Sequence, residues 1–140
     1  MKECTFELNK YTSEQFLNEW EIANKTKGIV EISDVEIEFD QETSEALIQK
    51  FFLQINDIDN EVQKFCKENY ERSTYNIKNY IVDLAWIKIK NNTITLGYWG
   101  EYVNIELRAI CKFENLIWKI VDIYYQWCNL VNYCSGVSIK

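Results

Sequence analysis

The stretch LAWIKIKNNTITLGYWGEYVNIELRAICKFENLIWKIVDIYY, residues 84–125, decides the fold, because apolar and polar residues alternate in it through segments separated by short breaks. Alternation at period two is the mark of strands with one face buried and one face in water. The first break is Asn91 and Asn92, residue types that tolerate the positive φ of a tight two-residue hairpin turn. Counting outward pairs Ile89 with Ile94, Ile87 with Leu96 and Ala85 with Tyr98 on one face. Lys88 with Thr95 and Trp86 with Gly97 fall on the other.

The second break, Gly100 and Glu101, has glycine at the first central position, as a type II′ turn prefers. Counting across it pairs Tyr98 with Val103, Leu96 with Ile105 and Ile94 with Leu107. Both turns then agree that Ile87, Ile89, Ile94, Leu96, Ile105 and Leu107 share a face. The third break lies near Glu114 and Asn115. A loop of two or four residues there keeps Trp118, Ile120 and Asp122 on the face of Ala109, Cys111 and Phe113, and a loop of three flips them. Asp122 would then sit at the sheet margin or be a partly buried acid.

Upstream, residues 3–8 alternate and predict a short first strand. Thr12 and Gln15 have capping-box spacing, and Phe16, Leu17, Trp20 and Ala23 recur at helical intervals until Lys27 and Gly28. From Ile29 to Phe39 the period is two again. Its parity slips at Ser33 and Asp34, which calls for a bulge or a tight turn there and points Glu36, Glu38 and Asp40 away from the apolar side. A long helical stripe follows, from Leu47 through Phe51, Phe52, Ile55, Ile58, Val62 and Phe65 to Tyr70. The polar cluster Asn56, Asp57, Asp59 and Asn60 breaks it, with Asp57 as a cap. Residues 71–79 read as a connecting loop. The tail after Tyr125, with Trp127, Leu130, Val131 and Tyr133, continues the last strand or packs back on the body. The expectation is one α+β domain over residues 1–140, an antiparallel meander sheet of about five to six strands and two to three helices. The long helical segment covers one face of that sheet.

Composition narrows the function. Five cysteines are an odd number and no secretory leader pattern opens the chain, so a reduced, cytoplasmic protein using cysteine as a small hydrophobe is expected. No apolar run approaches the roughly 20 residues of a membrane span, so no membrane association is expected. The formal net charge of −7 argues against nucleic acid and for a basic partner. Histidine is absent, which removes the commonest general base, the Ser-His and Cys-His pairs and most zinc sites. Four glycines and no proline leave no phosphate-cradling loop. Acidic residues total 22, so a pair could meet in a cleft, but their abundance marks none of them. No cofactor, metal or catalytic residue is expected, and the chain reads as a non-enzyme.

Two surface features stand out. No lysine or arginine occurs between Lys27 and Lys50, whereas Glu31, Asp34, Glu36, Glu38, Asp40, Glu42 and Glu45 do. Such a stripe can dock a basic surface, and it can equally guard an edge strand or a helix N-terminus. The non-core face of the meander collects Trp86, Trp99 and Tyr102, with Leu84 opposite Trp99 and with Thr95, Asn104, Glu106 and Arg108 around them. That composition suits a protein-binding hot spot, or a second core if the first helix or the tail covers it.

The helix of residues 44–70 followed by the aromatic meander Gly97-Tyr98-Trp99-Gly100-Glu101-Tyr102-Val103-Asn104 resembles the small acidic immunity proteins of bacterial polymorphic and contact-dependent toxin systems. That resemblance covers the last two-thirds of the chain and implies a noncatalytic inhibitor of a toxin, often a basic nuclease. The expected contact residues are Glu36, Glu38, Asp40, Trp86, Trp99, Tyr102, Asn104 and Glu106. The alternative is a domain binding a small ligand between sheet and helices, near Asp122, Cys111 and Tyr98. An unprotected last strand also leaves a homodimer open.

Overall fold

The structure is a computed structural model that describes residues 12–70, 82–100, 105–128 and 134–137. Its elements are α1 (Ser13–Ile22), β1 (Ile29–Ile32), β2 (Val35–Phe39), α2 (Glu45–Leu53), α3 (Ile55–Tyr70), β3 (Val82–Lys90), β4 (Thr93–Gly100), β5 (Ile105–Glu114), β6 (Ile117–Cys128) and β7 (Cys134–Val137). The strands lie side by side in chain order, with short β7 along the outer edge of β6. The fold class is α+β, as the sequence predicts. Neighbouring strands are antiparallel except β2 and β3, which run parallel. A parallel pair needs a crossover, and α2 with α3 supplies it. The predicted strand at residues 3–8 and the loop at 71–79 lie outside the described residues, as do residues 129–133 of the tail.

Three two-residue turns carry positive φ at both central positions, the geometry that matches strand twist. They are Ser33–Asp34 (51°, 65°), Asn91–Asn92 (52°, 60°) and Asn115–Leu116 (52°, 69°). The parity slip in the first acidic strand pair is thus a tight turn, and Ile32 faces Val35 across it.

Register departs from simple counting at three places. In the β3–β4 hairpin Ile89 pairs with Ile94, Lys88 with Thr95, Ile87 with Leu96 and Trp86 with Gly97, as expected. A bulge at Ala85 then puts Leu84, not Ala85, opposite Tyr98, and Asp83, not Leu84, opposite Trp99. The exchange leaves Ala85 exposed and buries Leu84 and Val82, which favours the bulge by the larger apolar area removed from water.

Between β4 and β5 the register lies four residues beyond the expected one: Tyr98 pairs with Leu107, Leu96 with Ala109 and Ile94 with Cys111. The shift is even, so Leu107, Ala109 and Cys111 keep their predicted face. It sets small Ala109 and Cys111 opposite large Leu96 and Ile94, the alternation that lets a packed layer interdigitate. Between β5 and β6, Phe113 pairs with Trp118 and Cys111 with Ile120, and an extra residue then brings Ile110 opposite Asp122 and Ala109 opposite Ile123. Asp122 therefore leaves the core face, contrary to the expectation from an even loop. The bulge puts Ile123 there instead and spares a carboxylate its desolvation.

The three helices pack over one face of the sheet. The Thr12 hydroxyl accepts the Gln15 N–H at 3.2 Å and starts α1, whose Phe16 and Trp20 are buried. Phe16 and Trp20 meet Phe52 of α2 with ring centres 5.5 and 5.4 Å apart, and Trp20 meets Phe39 of β2 at 5.0 Å. The Glu19 carboxylate accepts the Ser33 N–H at 2.8 Å, tying α1 to the first turn. That bond, with one from the Gln15 amide, holds the Glu19 pKa below the usual carboxylate range against the opposing effect of burial.

The Ser44 hydroxyl caps α2 by accepting the Leu47 N–H at 3.2 Å. The break between α2 and α3 falls at Gln54, a turn earlier than the polar cluster suggests, and Asp57 lies inside the first turn of α3. Gln54 explains the position. Its side-chain amide donates to the Trp118 carbonyl at 3.0 Å and its carbonyl accepts the Trp118 N–H at 2.8 Å, pinning the kink to β6. Gln63 grips Val82 of β3 in the same way, at 2.8 and 3.3 Å. Beside it the buried Tyr98 hydroxyl donates to Asp59 at 2.7 Å. The sheet's polar edges are thereby satisfied by helix side chains while the stripe buries its apolar face.

Candidate functional site

The sheet face opposite the helices is assembled by register. One row across β1 to β6 reads Glu31, Glu36, Trp86, Gly97, Arg108, Tyr124. The next reads Ile29, Glu38, Lys88, Thr95, Ile110, Asp122, and the third runs Lys90, Thr93, Lys112, Lys119 from β3 to β6. Helix α1 packs on the core side, and among the described residues no helix lies on this face.

Gly97 sets the centre of the face. A Cβ there would stand 2.0 Å from Cε2 of Trp86, so only glycine lets the indole lie across β4. The ring reaches towards β5, where the Arg108 guanidinium sits 5.4 Å from its centre, within cation–π range. Arg108 also pairs with Glu106 at 3.3 Å. Trp86 is half-buried by these neighbours, and Trp99 keeps 44% of its surface in water. Around Trp86 lies a shallow depression of about 220 Å³ lined by Glu36, Glu38, Lys88 and Arg108.

Of the expected contact residues, Glu36, Glu38, Trp86, Trp99 and Glu106 share this face, while Tyr102 and Asn104 lie outside the described residues. Asp40 does not join the row. Its carboxylate accepts the Asn91 N–H at 2.8 Å and the Thr43 N–H at 3.2 Å, clasping the β3–β4 turn to the end of β2. Burial pushes its pKa up, but these N–H donors outweigh burial and hold it below its ordinary value. The sequence reading placed Lys88 on this face and missed three more lysines there: Lys90, Lys112 and Lys119. Their signal was present, since each occupies a polar position in the alternation. Register was needed to show that they gather at one end.

Tyr98 and Cys111 are fully buried under the helices, whereas Asp122 is on the opposite face, so the trio expected near a small-ligand pocket does not share a space. Burial, with the charge of Glu61, pushes the Cys111 thiol up to about 12, a value that suits packing and not reactivity. A second depression, of about 300 Å³, opens where Trp20, Lys25 and Phe39 meet the N-terminus of α2. Of its lining groups, Ser44 caps α2 and Thr43 accepts the Asn92 N–H at 3.0 Å, while the buried indole N–H of Trp20 has no hydrogen-bond partner among the described residues. Among the described residues no cluster of three His, Cys, Asp or Glu is placed to hold a metal, and no helix is long and apolar enough to cross a membrane. Compared with protein-family models, curated proteins and solved structures, the chain matches none.

Proposed function

We propose that this chain is a noncatalytic, cytoplasmic protein-binding module, an immunity-type inhibitor whose open sheet face covers a basic partner such as a toxin domain. The observation that carries this reading is the pairing, on one accessible face, of Trp86 and Trp99 with the acidic corner Glu31, Glu36 and Glu38. Trp99 offers a large apolar surface at small entropic cost, and Trp86 is already held flat by Gly97 and Arg108. The acidic corner meets lysine and arginine side chains of the partner and speeds encounter. Lys88 and Arg108 border the same depression, so the partner's surface carries an acidic group beside its basic patch.

The test is co-purification with the product of the neighbouring gene, followed by affinity measurement at low and high salt. Trp99→Ala and the double change Glu36→Lys with Glu38→Lys should each weaken binding at least about tenfold, the second with a smaller salt dependence. Unchanged affinity in both variants would remove the open face from the interface.

A further inference from the structure

We infer that, in the absence of another partner, the open face closes on a second copy of this chain through two like-charged ladders. On β1 and β2, Glu31 stands directly opposite Glu36, and on β5 and β6, Lys112 stands directly opposite Lys119. All four side chains are exposed. Like charges directly opposite on one face of a sheet destabilise it. Neither ladder is relieved by the neighbouring strand in register, because Glu36 lies beside Trp86 and Lys112 beside Thr93. Edge protection calls for charge at these positions but not for like charges directly opposite each other.

The ladders sit at opposite corners of the face, about 19 Å apart across the strands and roughly 13 Å along them. A twofold axis between two facing sheets, passing over Lys88 and Thr95, lays each acidic ladder on the basic ladder of the other copy. A twofold is its own inverse, so both contacts form together and Trp86 is enclosed between them. The face also holds Ile29, Trp99, Ile117 and Val121, four of the seven exposed large hydrophobic residues among the described ones. They supply apolar contact around the charges. Six strands about 4.8 Å apart give a small footprint, and each chain carries a net charge of −7, so the dimer is weak, on the order of micromolar or weaker. Self-association and partner binding on this face exclude each other.

Sedimentation analysis of the full chain from micromolar to millimolar concentration tests the proposal, with two variants: Glu31→Lys with Glu36→Lys, and Lys112→Glu with Lys119→Glu. The unmodified chain should dimerise, each variant alone should weaken dimerisation at least about tenfold, and an equimolar mixture should restore it. Circular dichroism confirms that the variants fold. A second measurement needs no variant: zero-length carbodiimide crosslinking of the unmodified dimer, read by mass spectrometry, should join Glu31 or Glu36 to Lys112 or Lys119. That crosslink cannot form within one copy across roughly 19 Å. A chain monomeric at every concentration, a mixture that stays monomeric, or a dimer without this crosslink would overturn the proposal.

Discussion

Beneath the helices, β3 to β5 present Ile87, Ile89, Ile94, Leu96, Tyr98, Leu107, Ala109 and Cys111, none more than 1% exposed. On the opposite face the same strands present Trp86, Lys88, Thr95, Gly97, Trp99, Arg108 and Lys112. The first set is chosen for volume and is indifferent to charge, while the second contains an aromatic platform, the glycine that seats it, and Lys112, which stands opposite Lys119 of β6. Packing accounts for the first face completely. The second is not accounted for by packing alone, and the proposed docking surface lies there.

The largest expected effect falls on the helical side. Phe52→Ala removes the ring that meets both Phe16 and Trp20 and should cost about 3–5 kcal/mol in urea unfolding. A loss below about 1 kcal/mol would show that α1 and α2 do not form one core. Gly97→Ala comes next. The new methyl must lift Trp86 from β4, costing about 1–3 kcal/mol and shifting the Trp86 indole resonance. In a Trp86→Ala background the same change should cost much less, and equal costs in both backgrounds would sever the two residues.

A smaller, pH-dependent effect belongs to Glu19 at the seam between α1 and the first turn. Its folded pKa is lowered, so its contribution is present above the unfolded value and is lost as pH falls through the folded one. Glu19→Gln should flatten the stability profile in that window. The slope would be unaltered if the Ser33 bond were unimportant. Least of all should Glu36→Lys with Glu38→Lys disturb folding: a change within about 0.5 kcal/mol is expected, because both side chains are exposed. A larger loss would mean that the open face contributes to the core.

Much of this was legible along the chain. Thr12 capped α1, Asn91–Asn92 made the first meander turn, and the alternation assigned faces correctly from Trp86 through β4. The failures share one cause. Ala85 and Val121 each mark a place where adding one residue to a strand let the larger apolar side chain or the uncharged one reach the core, an outcome settled by what the opposing helices need to bury. Gln54 was illegible as the helix break because its partner, the Trp118 backbone, lies 64 residues away. The candidate site was half legible: the acids are contiguous in sequence, but the lysines come from β3, β5 and β6.

Local chemistry by itself determined the period of each segment, the residues that could turn, and the absence of histidine-based chemistry, since these depend on residue type and spacing alone. Tertiary structure decided the parallel join of β2 to β3, the two bulges, the four-residue shift of β5, and the placing of acidic and basic ladders at opposite corners of one face. The join, the bulges and the shift reflect competition between distant side chains for the same buried space, and the ladders' places follow from the register these set.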